Sequence, residues 1–297
     1  TRCVIYDEEL NIVMSKQKEY PLLYPKDGWV EVDPNKLLES VYNTLDPMLD
    51  SSFKIECVGI TNQRETTLVW DSVSGIPIYN GIVWQDRRTA DYCSSLKEQN
   101  LEPIINEKTG LLLDPYFSAT KISWILDNVK GAREKALKGD LRFGTVDTFL
   151  LWHLSGRQLH KTDVTNASRT NIFNIHSMEW DQELLNIFDI PASMLPEICS
   201  SDAEFGLLSR KGSTIPITSM IGDQQSALVG QECFNYGDMK ATFGTGCFLM
   251  VNSGQKPQSS KSGLLCTVGY GLQGSTSYAL EGSIFSAGTT IQWLRDN

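Results

Sequence analysis

An acidic side chain and two amides follow an apolar run late in the sequence. Residues 215–221 are rich in β-branched side chains and predict a strand buried on both faces. Gly222 interrupts this run, Asp223 and the pair Gln224-Gln225 follow, and residues 226–228 predict a helix. Ligands bind at such strand ends in open α/β sheets, which makes Asp223 a candidate functional carboxylate. The alternatives are that Asp223 only caps the helix, or that it lies in an ordinary turn.

A second candidate is the adjacent pair Arg64-Glu65, in the segment Ile60–Thr67 between two predicted strands. The pair offers a fork of N–H donors beside two carboxylate acceptors. This combination suits a small polyol, because each hydroxyl group both donates and accepts a hydrogen bond. The alternative is a solvated charge pair in a surface turn, which would contribute little.

A third candidate is the turn Gly244-Thr245-Gly246 between two predicted strands. Backbone N–H groups in such a turn can point at a phosphate. The same residues also suit a plain hairpin turn that needs positive φ. By residue type alone, Trp84 and Phe248 are more typical of a core than of a ligand site.

Composition narrows the class of protein. The 297 residues predict about two domains. The net charge of −10 argues against nucleic acid and anionic lipid as partners. Seven widely spaced cysteines without a C-x-x-C pair indicate reduced thiols and a cytoplasmic location, and the three histidines lack metal-ligand spacing. No apolar run is long enough to span a membrane.

The predicted elements follow an order typical of ribonuclease-H and actin-type domains: antiparallel strands, a helix, then a parallel strand. Residues 155–196 are predicted to be looser and polar, and a second unit is predicted from residue 231. The predicted strands are 2–6, 11–20, 28–32, 55–61, 66–71, 82–84, 143–146, 240–243, 247–252, 264–268 and 276–281. The predicted helices begin at residue 33 and also cover 88–98, 119–128, 148–154, 181–188 and 282–296.

Together these motifs resemble the FGGY carbohydrate kinase family, over essentially the whole chain. Within that family the Gln-Arg-Glu-Thr-Thr loop is similar to that of members that phosphorylate glycerol, whereas xylulose kinases carry a different loop. The matching segments are GITNQRETT at 59–67, VWQ at 83–85, DPYFS at 114–118, YFSATKISWILDN at 116–128, TNASRT at 165–170, GDQQ at 222–225, FGTGCF at 243–248 and IQWLRD at 291–296.

The resemblance implies an α/β fold of two actin-like domains, residues 1–230 on the polyol side and 231–297 on the nucleotide side. It implies that Asp223 is the general base and a contact for Mg²⁺ bound with ATP. The implied polyol-binding residues are Arg64, Glu65, Trp84, Tyr116, Asp223, Gln224 and Phe248. The implied nucleotide-binding residues are Arg2, Thr245, Gly288 and Gln292.

The resemblance further implies phosphoryl transfer from ATP with Mg²⁺ to glycerol, and a homodimer or homotetramer. The family's first phosphate loop would precede Thr1, and the back half of its nucleotide domain has no counterpart in the sequence. We therefore expect a first domain without its first strand, an incomplete second domain, and no kinase activity from this stretch alone. The alternatives are a kinase for another polyol or sugar, and a non-catalytic actin-like binding module.

Overall fold

The computed structural model describes residues 1–244, 246–260 and 262–296. The strands are β1 Arg2–Tyr6, β2 Ile12–Gln17, β3 Leu22–Leu23, β4 Glu31–Val32, β5 Val58–Asn62, β6 Leu68–Asp71, β7 Gly81–Ile82, β8 Leu141–Gly144, β9 Lys161–Asp163, β10 Phe173–Asn174, β11 Glu179–Trp180, β12 Glu197–Cys199, β13 Gly206–Arg210, β14 Ser213–Gly222, β15 Met239–Phe243, β16 Cys247–Gly254, β17 Leu265–Leu272 and β18 Ser275–Ile284. The helices are α1 Pro34–Leu49, α2 Ala90–Glu98, α3 Glu102–Thr109, α4 Ser118–Asn128, α5 Ala132–Leu137, α6 Val146–Leu154, α7 Val164–Ala167, α8 Gln182–Ile187, α9 Asp223–Gly230 and α10 Gly288–Asp296, with a 3₁₀ turn at Ala192–Met194.

Helix α1 begins where the sequence predicts. The Asp33 side chain caps it by accepting a hydrogen bond from the Asn35 N–H (2.8 Å), and Pro34 occupies the first turn. The stripe that includes Leu37, Val41 and Leu45 is buried. This stripe packs into the core that also holds helix α6.

Two parallel strands, β5 and β14, form the part of the fold that positions the candidate site. After a register shift between Ile217 and Ser219, their C-terminal ends pair with Thr61 beside Ile221 and Asn62 beside Gly222, and β13 flanks β14 in the antiparallel direction. The predicted burial of β14 on both faces is wrong, because Ile215 and Ile217 are buried while Pro216 between them is exposed. In the described part of the chain, the core around α6 covers one face of this sheet and leaves the other partly open.

The segment 155–196 is not the looser region that its polar composition predicts. Much of it is buried, and many of its polar side chains form hydrogen bonds within the segment or with distant parts of the chain. Asp163 caps helix α7 by accepting from the N–H groups of Thr165 and Asn166. The Asn166 side-chain amide exchanges two hydrogen bonds with that of Asn62 at the end of β5 (2.9 and 3.1 Å). Polar composition here reflects an internal hydrogen-bond network.

The strands after residue 238 form one antiparallel sheet in the order β15-β16-β18-β17. The predicted helix 282–296 is wrong in its first part, because strand β18 continues to Ile284 and pairs there with Cys247. The helix is Gly288–Asp296. Three short helices, α3, α5 and α7, were not predicted from the sequence.

No helix in the described ranges is long and apolar enough to cross a membrane. All seven cysteines are free thiols, which agrees with the absence of a disulfide pattern in the sequence.

Candidate active site

The candidate site lies where β5 and β14 end side by side. Because the two strands are parallel, the loop after β5 and the start of α9 meet at one edge of the sheet. Gly222 makes this approach possible: a Cβ there would lie 2.9 Å from both Cγ and Cδ of Arg64. Its N–H also donates to the Thr165 hydroxyl (2.9 Å), which fixes the chain before Asp223.

Asp223 is the first residue of α9, and Gly222 is the N-cap. The alternative that Asp223 serves as the helix N-cap is therefore wrong. The Asp223 side chain is 44 % exposed, and its Oδ1 accepts from the Gln224 N–H (2.8 Å). A partly exposed carboxylate at this edge remains able to contact a ligand.

The structure brings all seven sequence-predicted polyol residues around one cavity of about 40 Å³, with Gln63 as an additional lining residue. Trp84 forms edge-to-face contacts with Phe248 (5.9 Å between ring centroids) and Tyr116 (5.8 Å). The cavity therefore has an aromatic wall opposite a group of polar side chains. The residues lining it are Gln63, Arg64, Glu65, Trp84, Tyr116, Asp223, Gln224 and Phe248.

The guanidinium of Arg64 is buried and mostly paired. Its Nη1 donates to Glu281 Oε2 (2.6 Å), and its Nη2 donates to Glu281 Oε1 and to the Tyr116 hydroxyl (both 3.1 Å). Its Nε lies 3.6 Å from Glu65 Oε1 and 3.7 Å from Asp223 Oδ1, beyond a good hydrogen bond to either. Arg64 thus keeps one donor between two carboxylates.

Arg169 completes a buried cluster of two guanidinium and two carboxylate groups. Its Nε donates to Glu65 Oε1 (2.6 Å) and its Nη2 to Glu281 Oε1 (2.8 Å). Burial opposes ionisation of Glu281, but Arg169 and Arg64 outweigh it and lower the pKa of that carboxyl to about 2. For Glu65, burial outweighs the same two cations and raises the pKa. Burial alone would lower the pKa of Arg64, but Glu281 and Glu65 raise it well above its ordinary value.

No role was predicted from the sequence for Arg169 or Glu281, which belong to this cluster, or for Lys240, which donates to Gln224 at the cavity. Arg169 lies in a motif that carried the resemblance, and Glu281 ends a predicted apolar strand. A lone charged residue in a buried strand needs a partner, and this was the available signal for Glu281. Its partners come from segments more than a hundred residues away, so the pairing itself was not readable.

Hydrogen bonds from two residues of helix α4 fix the loop that carries Tyr116. The ammonium of Lys121 donates to the Tyr116 carbonyl (2.5 Å), and the Ser118 hydroxyl donates to the Glu65 carbonyl (3.2 Å). Lys121 is fully buried, and this burial lowers its pKa to about 8. The loop carrying Tyr116 is therefore tied both to a buried cation and to the Arg64-Glu65 turn.

The nucleotide-binding residues predicted from the sequence do not gather around one cavity in the way that the polyol residues do. Gly288 begins α10, and its N–H donates to the Gly244 carbonyl (2.9 Å), which joins this helix start to the glycine-rich turn. Gln292 is exposed on the same helix, and Thr245 lies outside the described residues. Arg2 is exposed on β1, donates to the Ser15 hydroxyl (3.2 Å), and does not line the cavity.

The described residues contain no group of three or more histidine, cysteine, aspartate or glutamate side chains arranged to hold a metal ion. Asp223 is thus a single partly exposed carboxylate with no such companions in the described ranges. A Mg²⁺ ion bound mainly through substrate phosphates needs only one or two protein carboxylates. The side chains present are compatible with a metal that arrives with a nucleotide.

Comparison with known proteins defines the class of this chain. Models of the FGGY family of carbohydrate kinases match residues 1–230 with the N-terminal domain and residues 239–297 with the C-terminal domain. The solved structure of Plasmodium falciparum glycerol kinase with ADP superposes with a TM-score of 0.94 at 40 % identity, covering 100 % of this chain and 61 % of that one. Gluconate kinase from Lactobacillus acidophilus shares the fold, with a TM-score of 0.88 at 23 % identity, covering 99 % of this chain and 59 % of that one.

The fold and site therefore place this chain in the class of proteins that share the actin-like fold of the sugar kinases. More particularly, the chain belongs to the FGGY family of carbohydrate kinases. It is 57 % identical to glycerol kinase from Alteromonas mediterranea and 54 % identical to glycerol kinase 1 from Pseudomonas aeruginosa, matching over 100 % of its own length in both cases. The chain spans 61 % of the length of these relatives.

Proposed function

We propose that this chain supplies the polyol site and the general base of a kinase that transfers phosphate from ATP to glycerol. One observation carries the proposal: the free Nε–H of Arg64 lies between Glu65 Oε1 (3.6 Å) and Asp223 Oδ1 (3.7 Å) at the wall of the cavity. A hydroxyl group placed there accepts from Arg64 and donates to either carboxylate. The relatives at 54–57 % identity bear the name glycerol kinase.

The shape of the cavity supports a short polyol over a larger sugar. Its volume is about 40 Å³, and Trp84 and Phe248 form an apolar wall opposite the charged groups. A three-carbon chain presents one C–H face and several hydroxyls, which match this division.

The proposed chemistry needs little from the protein beyond position and charge. The terminal oxygen of glycerol attacks the γ-phosphorus of ATP, a new O–P bond forms, and the bond to the bridging oxygen of ADP breaks. Asp223 takes the hydroxyl proton, and its 44 % exposed carboxylate lies at the edge of the cavity. In-line transfer of this kind depends mostly on positioning and on neutralising phosphate charge.

For the nucleotide, we propose the region around Gly244 and the start of α10. The Gly288 N–H to Gly244 carbonyl bond places a nine-residue helix N-terminus beside the glycine-rich turn, and helix N-termini suit phosphate. Mg²⁺, held by the phosphates and contacted by Asp223, would neutralise charge on the transferred group. Gln292, Thr245 and Arg2 stay predictions from the resemblance, as do self-association and the cytoplasmic location.

The test is the substitution Asp223→Asn, assayed in a chimera. In this chimera the Alteromonas relative supplies the parts of its length that lie outside the matched region. The amide has nearly the same size but does not accept a proton, so glycerol-dependent ADP release should fall by about 10²–10⁴. Glycerol affinity, measured by calorimetry, should change little. Asp91→Asn is the matched control, because Asp91 is exposed on α2.

Turnover of Asp223→Asn near that of the unsubstituted chimera would contradict the role of Asp223. Phosphorylation of a pentose or hexose in preference to glycerol would contradict the substrate. Glycerol binding without any ADP release in the unsubstituted chimera would favour a non-catalytic binding module instead.

A further inference from the structure

We propose that Lys240 is a positioning residue for the polyol site, acting through the carboxamide of Gln224. This inference rests on the proposed function. Lys240 belongs to β15, within the C-terminal matched region, whereas Gln224 belongs to α9 in the N-terminal one. The strand from one region therefore orients a site residue of the other.

The contacts of Lys240 are few and internal. Its side chain is 5 % exposed, and the ammonium donates to Gln224 Oε1 and to the Thr242 hydroxyl (3.0 Å). Lys240 does not line the cavity, so it does not reach the substrate itself. Its influence passes through Gln224, which does line the cavity.

The ammonium determines which way the Gln224 amide faces. An ammonium has donors and no acceptor, so only the amide oxygen can face Lys240. The amide nitrogen is then directed to the other side, where Nε2 lies 3.4 Å from Asp223 Oδ2. Turning the amide over would place its NH₂ against the ammonium and its oxygen against the carboxylate. Lys240 and Asp223 thus select one orientation, with the NH₂ donor at the site.

The charges around Lys240 bring its loss of a proton close to neutral pH, so its hold on the Gln224 amide should depend on pH. Burial and the cation Arg64 lower its pKa, Glu281, Asp223 and Cys233 raise it, and the balance is a pKa of about 8. The ammonium is present at pH 7 and is lost as the pH rises through about 8. Because charge-assisted hydrogen bonds are roughly twice as strong as neutral ones, the Gln224 amide should then be held less firmly.

The experiment uses the same chimera with Lys240→Met, Gln224→Leu, the double variant, and Lys256→Met as the matched control on an exposed lysine. Lys240→Met should raise KM for glycerol about tenfold or more, which is the loss of one charge-assisted bond, with KM for ATP unchanged. The double variant should be no worse than Gln224→Leu alone, because Lys240 acts through that residue. Additive effects, or an unchanged KM for glycerol, would overturn the proposal.

Two further measurements apply if Lys240→Met does not fold or if the chimera shows no activity. If Lys240→Met does not fold, the unsubstituted chimera is titrated instead: KM for glycerol should rise above pH 8 while KM for ATP does not, and a flat profile overturns the proposal. If the unsubstituted chimera phosphorylates no glycerol, the proposed function fails, but a crystal structure of Lys240→Met still decides the positioning role. A displaced Gln224 side chain supports it, and an unmoved one overturns it.

Discussion

The charge balance of the buried cluster can be tested with Glu281→Gln. Glu281 accepts hydrogen bonds from Arg64 Nη1 (2.6 Å), from Arg169 Nη2 (2.8 Å) and from the Ser283 hydroxyl (3.0 Å). The substitution keeps the shape of the side chain but removes its charge, so Glu65 is the one buried carboxylate that remains beside two buried guanidiniums, and Asp223 near Arg64 is partly exposed. Breaking a buried ion pair in this way costs about 3–5 kcal/mol.

The pKa of Glu281 gives a second value for the free energy that its ion pairs contribute to stability. A fall in the pKa of this carboxyl from its ordinary value of 4.5 to about 2 corresponds to about 3 kcal/mol of stabilisation of the ionised carboxylate. Since the folded-state pKa lies below the unfolded one, this stabilisation is present above pH 4.5 and is lost as the pH falls through about 2. The stability difference between the two proteins should therefore be constant from about pH 5 to 8 and shrink at lower pH.

The assay is urea unfolding at pH 7, followed by tryptophan fluorescence and far-ultraviolet circular dichroism. Glu281→Gln should lower the free energy of unfolding by about 3 kcal/mol. The matched control Glu204→Gln, at an exposed glutamate, should stay within about 0.5 kcal/mol. Adding Arg169→Met to Glu281→Gln restores the balance of charge, so the double variant should lose less than the sum of the single losses. A loss below about 1 kcal/mol for Glu281→Gln, or strict additivity, would refute the reasoning.

Two further predictions concern stability. Burial lowers the pKa of His160 to about 4, and its Nε2–H donates to the Phe143 carbonyl (2.7 Å). Because His160 binds a proton more readily in the unfolded chain than in the folded one, protonation favours unfolding. The free energy of unfolding should therefore fall as the pH drops from about 6.5 towards 4. His160→Gln should reduce this acid loss in urea titrations at stepped pH, and an identical pH slope in both proteins would contradict the assignment. Gly110→Ala should be strongly destabilising, because φ is +70° and a Cβ would lie 2.3 Å from the Cys266 carbonyl oxygen. Gly131→Ala, with φ of +76° but open space, should cost only about 1 kcal/mol, so equal melting temperatures for the two variants would count against the steric argument.

Local patterns in the sequence were sufficient for several elements. The Asp33-Pro34 start of α1 and its apolar stripe follow from capping and helical spacing, which are properties of adjacent residues. The change from strand to helix near Gly222 was predicted in the same way, but α9 begins at Asp223, three residues before the predicted start at residue 226. The polyol residues were named through the resemblance, and they surround one cavity.

Other features depended on contacts between distant segments. The predicted helix from residue 282 failed at its start because β16 pairs with Gly282, Ser283 and Ile284 and extends β18. Strand pairing of this kind can override local propensity, since backbone hydrogen bonds to a neighbour are not encoded in a short window. The segment 155–196 was judged loose for the same reason: its polar side chains find their partners elsewhere in the chain.

By itself, the sequence determined the chemistry available at the site: a carboxylate after a strand, an Arg-Glu turn and aromatic side chains. The tertiary structure decided how that chemistry is used. Glu281 accepts hydrogen bonds from both Nη groups of Arg64, so only Nε is left to face the cavity. Lys240, on strand β15, orients Gln224 on helix α9. These contacts join residues that are 217 and 16 positions apart. A buried charge requires a partner, but only the packing of the chain determines which residue it is.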